Sequence, residues 1–207
     1  MEMCRRELDF FGFNHYSRVY VQPVEDKQLK AETATPPVGV PVTAWSGQID
    51  ASALVEQLQD FADRFSDFRA PIYITKNDAA FEDIKNAESQ VDDADRIAFF
   101  NQYLLVMIDG IDGGFDIRGL FFWSILDNLE WNAGYANRFG LVHVDFPTGE
   151  RTPRASYHFM KSMIDRHGGD PVSSRPMLAE NADCSFQLLE PDTPIQVGLV
   201  PPARRLG

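Results

Sequence analysis

The sequence is short of most features that announce a metal, nucleic-acid or membrane protein. It has two cysteines, Cys4 and Cys184, near opposite ends. They lack metal-ligand spacing, and spacing alone argues no disulfide between them. Four histidines, His15, His143, His158 and His167, are also scattered without ligand spacing, so no metal site is expected. Basic residues are the minority: 19 Lys and Arg face 31 Asp and Glu, for a net charge of −12. Phosphate neutralisation needs clustered Lys and Arg, which excludes nucleic acid as a partner. No apolar run approaches the roughly 18 residues of a membrane span, so no membrane partner is expected. The opening Met1-Glu2-Met3-Cys4-Arg5-Arg6 has no apolar stretch of the secretory kind, and a cytoplasmic location is the expectation.

What is present is a globular composition with heavy use of phenylalanine, at 16 residues, which suits packed layers of sheet and helix. The chain reads as strand then helix, three times over. Phe10–Tyr16 is a short apolar run and a buried strand. Residues 22–48, with Pro23, Pro36, Pro37, Gly39 and Pro41, read as an irregular loop of unusual length. Asp50 or Ser52 is placed to cap a helix whose apolar stripe is Leu54, Leu58, Phe61, Ala62 and Phe65.

A second strand, Ile72–Thr75, follows Pro71, and 82–91 form a polar loop. The acidic run Asp92-Asp93-Ala94-Asp95 suits a helix start. That helix has Ile97, Phe100, Leu104, Met107, Ile108 and Ile111 on one face, and glycines 110, 113 and 114 end it. The third strand is Ile117–Ser124. After a short β excursion over Gly140–Asp145, Thr152 and Pro153 suit the first positions of a last helix faced by Tyr157, Met160 and Ile164. Near-continuous apolar strands alternating with amphipathic helices imply an α/β fold whose parallel sheet is covered on both faces. Residues 167–207 are rich in proline and poor in periodicity, and read as a loose tail in which Phe186–Leu189 is the best strand candidate.

The richest segment is Trp123-Ser124-Ile125-Leu126-Asp127-Asn128-Leu129-Glu130-Trp131. Trp and Ile favour burial, while Asp127, Asn128 and Glu130 need partners if buried. Two readings fit. The segment is a strand end running into an acidic loop, with Asp127 and Asn128 fixing the turn through side-chain to backbone bonds. Or it lines a concave sugar site, with flat apolar faces for ring C–H groups and charged acceptors for hydroxyls.

Around it stand Asp9-Phe10-Phe11-Gly12-Phe13-Asn14-His15-Tyr16, Ile72-Tyr73-Ile74-Thr75-Lys76-Asn77-Asp78, Arg138-Phe139-Gly140-Leu141-Val142-His143-Val144-Asp145 and Arg151-Thr152-Pro153-Arg154. In order and spacing these segments resemble the C-terminal part of glycoside hydrolase family 1, the β-glucosidase family, from about Asp9 to Asp165. The resemblance implies strands six to eight of a (β/α)8 TIM barrel, over residues 1–166. A complete barrel takes about 250 residues, so the chain is expected to be a partial, truncated one.

The family resemblance also carries site residues. It implies that Glu130 grips two sugar hydroxyls, that Trp131 offers its indole N–H to a hydroxyl, and that Trp123 is the platform under the ring. It implies that Asn14 and Phe139 line the pocket and that Tyr16 orients the nucleophile. That nucleophile is the Glu of an Ile-Thr-Glu-Asn-Gly segment, which here reads Ile74-Thr75-Lys76-Asn77-Asp78. The partner acid/base lies in an Asn-Glu-Pro segment, and none occurs in these 207 residues. Retaining glycosidases need both carboxyl groups, about 5–5.5 Å apart.

Lys76 is read either as a solvent-facing loop lysine or as a binding group; its charge would repel an oxocarbenium-like centre. His15 replaces a family tyrosine and carries no catalytic expectation. The expectation is thus a β-glucosidase-like chain with no cofactor, inactive alone, whose ligand is a β-glycoside or monosaccharide. The alternatives are a noncatalytic sugar-binding remnant, or half of a split barrel that docks on a chain supplying the missing half. Uncovered sheet edges make self-association a further expectation.

Overall fold

A computed structural model of the chain describes residues 8–45, 47–83, 85–87, 90–167 and 196–199. In chain order the elements are β1 (Phe11–Asn14), β2 (Val21–Pro23), β3 (Ala31–Thr33), α1 (Ser52–Arg64), β4 (Ile72–Asn77), α2 (Ala94–Asp112), β5 (Ile117–Phe122), β6 (Val142–Val144), β7 (Arg151–Pro153), α3 (Ala155–His167) and β8 (Gln196–Leu199). The fold is α/β. Strands β1, β4, β5 and β8 form one parallel sheet in that spatial order. The three expected strands are therefore adjacent. Helices α1 and α2 lie in the connections between them, and parallel neighbours need such crossovers.

The core follows from alternation in the strands and the stripe on each helix. Ile72 and Ile74 of β4 and Ile117, Leu120 and Phe122 of β5 are buried, with Leu54 and Leu58 of α1 and Phe99, Phe100, Tyr103, Leu104 and Met107 of α2. Met160 and Met163 of α3 close the same cluster. The Phe100 and Phe122 ring centroids are 4.1 Å apart, fixing α2 on β5. Burying each such side chain is worth about 1.5–3 kcal/mol. Gly119 is required where β5 passes β4, because a Cβ there would lie 2.7 Å from the Tyr73 ring.

Several local expectations are corrected. Residues 22–48 are not wholly irregular: β2 and β3 pair antiparallel as a hairpin. Neither Asp50 nor Ser52 caps α1; Ala51 is the N-cap residue, without a side-chain cap bond. The Asp50 carboxylate instead accepts from Arg18 Nε at 2.7 Å and from Ser52 Oγ at 2.6 Å, a charged partner outcompeting the helix end. Phe65, placed on the apolar stripe, is 56% exposed. Thr152 and Pro153 belong to β7, which pairs with β6, and α3 starts only at Ala155. The reason is the tight 145–150 turn, closed by Asp145 N–H to Glu150 O at 2.9 Å. Residues 168–195 and 200–207, most of the expected tail, lie outside the described residues, as does the candidate strand Phe186–Leu189. Within that tail, β8 joins the sheet beside β5.

Candidate active site

The C-terminal ends of β1, β4 and β5 converge, and parallel sheets place their sites at that edge. His15 N–H donates to Lys76 O at 2.9 Å, and Asn77 Nδ2 donates to His15 O at 2.9 Å. Trp123 N–H donates to Asn77 O at 3.2 Å. These bonds hold Tyr16, Lys76, Asp78 and Trp123 at one rim. His15 itself is structural: it is buried, and Nδ1 meets Gln57 Oε1 at 2.9 Å. Burial lowers its pKa against the pull of that hydrogen bond.

A cleft of about 430 Å3 opens there. Tyr16, Trp123, Glu130 and Phe139, all singled out in the sequence, line it. Lys76 does not line it but stands at its side, half-buried, with Nζ 4.1 Å from the Trp123 ring centroid. It is neither in a loop nor free in solvent; it is a residue of β4. Burial raises the Glu130 pKa, opposed by a hydrogen bond from Trp123 and by the charge of Lys76. Burial, then the charges of Asp78 and Glu130, push the Tyr16 hydroxyl far above its usual range, so it keeps its proton and is a hydrogen-bond donor at any ordinary pH.

Asn14 and Trp131 are not brought to the cleft. Asn14 is exposed, and its Oδ1 accepts from Thr75 Oγ1 at 3.0 Å. Trp131 is 97% exposed. It rides on a tight loop in which Glu130 and Gly134 exchange backbone hydrogen bonds at 2.8 and 2.7 Å, with Gly134 at φ +62°. That geometry points Glu130 inward and leaves Trp131 outside.

Behind the cleft lies an ionic network. Arg96 pairs with Asp78 at 3.1 Å, Asp83 at 3.0 Å and Asp93 at 3.1 Å. Arg154 pairs with Asp83 at 2.9 Å and Asp127 at 3.0 Å, and Arg138 with Asp127 at 2.8 Å. Arg96 also donates to Ala79 O at 2.6 Å and Arg138 O at 3.0 Å, joining the β4 exit to the loop that carries Phe139.

Asp127 accepts from Gly140 N–H at 2.9 Å and Val144 N–H at 3.1 Å. Burial would raise its pKa, but hydrogen bonds from Arg154 and Arg138 and the Arg154 charge hold it below the ordinary value. Asn128 donates to Ser124 Oγ at 3.0 Å and Leu126 O at 3.2 Å. The turn-fixing reading of Asp127 and Asn128 is therefore the right one, while Trp123 and Glu130 of the same segment face the cleft.

Three participants were not read from the sequence. Trp45, in the 22–48 segment, lines the cleft, with its ring centroid 5.8 Å from that of Phe139. Asp78 lines it too. Arg96 is fully buried; its signal was a charge three and four residues before Phe99 and Phe100, on the buried face of α2. Among the described residues no group of His, Cys, Asp and Glu is arranged to hold a metal ion, and no helix is long and apolar enough to cross a membrane.

Comparison with known proteins places this geometry. The family model "Glycosyl hydrolase family 1" matches residues 1–169. A 1,4-beta-D-glucan glucohydrolase of Thermotoga neapolitana is 32% identical over 168 residues, covering 81% of this chain and 37% of the relative. A protein of Oryza sativa subsp. japonica named "Probable inactive beta-glucosidase 14" is 32% identical over 173 residues, 76% of this chain and 33% of its own length. Among solved structures, the family 1 β-glucosidase from Thermotoga maritima matches with a TM-score of 0.72 at 30% identity, covering 77% of this chain and 35% of that one. The chain thus spans little more than a third of the relatives it matches.

Proposed function

This chain belongs to glycosyl hydrolase family 1, and from that premise we propose that its cleft binds a β-glycoside or its monosaccharide without hydrolysing it. The observation that carries the reading is Lys76. It stands where the family pattern has its nucleophilic Glu, and its ammonium rests against Trp123. A glycosidase nucleophile must attack the anomeric carbon and stabilise developing positive charge. An ammonium does neither. This argument holds for any chain that contains the Ile74-Thr75-Lys76-Asn77-Asp78 segment. Recognition groups remain: Trp123 offers an aromatic face, Glu130 a hydroxyl acceptor and Tyr16 a donor.

The test uses the 207-residue chain with a nitrophenyl β-glucoside and, separately, a glucose titration followed by saturation-transfer NMR. Glucose signals that respond to the protein, with no turnover above background, are the expected result. Lys76→Glu alone should leave turnover at background, because these residues contain no Asn-Glu-Pro acid/base segment. Multiple turnovers by the chain, or no glucose contact, overturn the reading.

The order β1-β4-β5, with a helix in each connection, also supports three consecutive βα units of a partial barrel. One observation favours a second role, as half of a split barrel. Among the described residues β1 is an outer strand of the sheet, and Trp45, Trp131 and Tyr135 are 46%, 97% and 51% exposed around the cleft mouth. A chain carrying family-type strands one to five, or a second copy, would cover them. Sedimentation of this chain with and without a separately made first half distinguishes the cases. A concentration-independent monomer that ignores the added half overturns this role.

A further inference from the structure

We propose that Asp78 is a ligand-contacting residue, donating a hydrogen bond from Oδ2 to a hydroxyl oxygen of a neutral monosaccharide in the cleft. This rests on the sugar-binding reading above and adds to it a contact at the position where the family pattern has glycine.

The argument starts from the two oxygens of one carboxyl group. Asp78 is 2% exposed, yet it lines the cleft. Its Oδ1 accepts from Ala79 N–H at 2.6 Å and from Arg96 Nη1 at 3.1 Å. Its Oδ2 is buried and has no hydrogen-bond partner among the described residues. An orphan oxygen of that kind is costly, and rare in a folded protein unless something meets it.

Charge counting decides which form Asp78 takes. Arg96, Arg154 and Arg138 are joined by ion pairs to Asp78, Asp83, Asp93 and Asp127. Three cations against four carboxylates leave one negative charge in excess, and every one of these side chains except that of Arg138 is at most 2% exposed. One proton makes the network neutral. Asp83 is shared by two arginines, and Asp127 takes two arginines and two backbone N–H groups. Asp93 takes Arg96 and both the N–H and the hydroxyl of Ser156. Of the four, Asp78 is the one with a buried oxygen that lacks a hydrogen-bond partner. Its Oδ1 lone pairs are engaged, so the proton sits on Oδ2.

Burial pushes the Asp78 pKa up to about 8 against the pull of Arg96, in agreement with this assignment. Among the described residues, the charged and titratable groups around Asp78 are Arg96 and Arg154 behind it, Asp83 and Asp93 beyond them, Tyr16 and Glu130 across the cleft, and Lys76 beside Glu130. A protonated Oδ2 is a donor in need of an acceptor. A sugar hydroxyl oxygen is such an acceptor, and it can in turn donate to Glu130.

Asp78→Asn separates this contact from other causes. The amide keeps an acceptor for Ala79 and Arg96 and presents a permanent N–H where the acid has O–H. Glucose affinity is measured on the 207-residue chain by tryptophan fluorescence at pH 6 and pH 9. The native chain should lose roughly tenfold in affinity at the higher pH, because at one pH unit above its pKa a group is about one-tenth protonated. Asp78→Asn should bind at pH 9 as the native chain does at pH 6, and Asp78→Gly should bind weakly at both. A native chain with flat affinity, or an Asn variant with the native pH loss, overturns the contact while leaving sugar binding intact.

No glucose binding by any variant with native near-ultraviolet dichroism overturns both readings. Infrared difference spectra of the unliganded native chain supply a test independent of variant folding. A protonated-carboxyl band present at pH 6, lost by pH 9 and shifted by glucose is expected; its absence at pH 6 overturns the proposal.

Discussion

The Lys76 ammonium lies 4.1 Å from the centroid of the Trp123 ring, across the ends of two neighbouring parallel strands. The pair changes what the rim of the sheet can do. A carboxylate at that point would be repelled by Glu130, whereas Lys76 lowers the cost of keeping Glu130 ionised. The aromatic face holds the cation in place, so Lys76 is a built part of the rim.

That contact should be measurable. Lys76→Ala and Trp123→Ala, singly and together, form a double-mutant cycle in urea unfolding. Both side chains are half-buried, so a coupling of about 0.5–1 kcal/mol is expected. Additive losses would show that the pair is only a proximity.

Arg96 should be among the most sensitive positions. It is fully buried and serves three carboxylates and three backbone carbonyls. Arg96→Met leaves Asp78, Asp83 and Asp93 without their common cation, and breaking a buried pair in this way costs about 3–5 kcal/mol. Lys161→Met, which removes an exposed pair with Asp165, is the contrast and should leave the urea midpoint nearly unchanged. Equal urea midpoints for the two variants would contradict the buried network.

Gly140→Ala tests the join between the cleft loop and that network. A Cβ at Gly140 would lie 2.2 Å from Asp127 N and 2.5 Å from Leu126 C, both backbone atoms that cannot swing aside. The loop must move, and with it Phe139 and the Asp127 acceptor for Gly140 N–H. A cooperative melt lowered by several degrees, with an altered Trp fluorescence maximum, is expected. An unchanged melt would mean that the close approach is not present in solution.

The strands and helices were legible because their periods were clean. Ile72–Thr75 and Ile117–Ser124 are largely apolar runs too short for helices, the second ending two residues beyond the observed β5, and α2 carries its stripe over five turns. The hairpin of β2 and β3 was hidden because Val21–Pro23 and Ala31–Thr33 are short and mostly exposed, without a buried face to set a pattern. The start of α3 was misread because Thr152 and Pro153 also suit an edge strand, and only pairing with β6 decides between the two.

In the site, Trp123 and Glu130 stood out because a polar group among aromatics is poor core material, whereas Tyr16 and Phe139 came only from the family resemblance. Trp131 could not be separated from Glu130, since one residue's difference along a tight loop reverses direction. Asp78 was visible only as a departure from glycine. Its role depends on which oxygen Arg96 takes, and no sequence pattern states that.

The same residue gives the chain a distinctive pH dependence of stability. The folded-state pKa of Asp78, about 8, is raised from an ordinary 3.8, so between those values the folded chain binds a proton that the unfolded chain has released. Stability falls with pH wherever the folded state holds more protons. The contribution from Asp78 is therefore fully present below pH 3.8 and is lost as pH rises through about 8. Asp127 works in the opposite sense: its lowered pKa adds stability above its unfolded value, lost only as pH falls through the folded one.

Asp78→Asn removes the first dependence and leaves the second. Urea midpoints of the variant should exceed those of the native chain at pH 8, and the gap should narrow steadily toward pH 4. Arg96 stays paired with Asp83 and Asp93 in the variant, so the difference reports the Asp78 charge and not a broken network. A variant less stable than the native chain at pH 8 would mean that Asp78 is ionised in the fold and needed there as an anion.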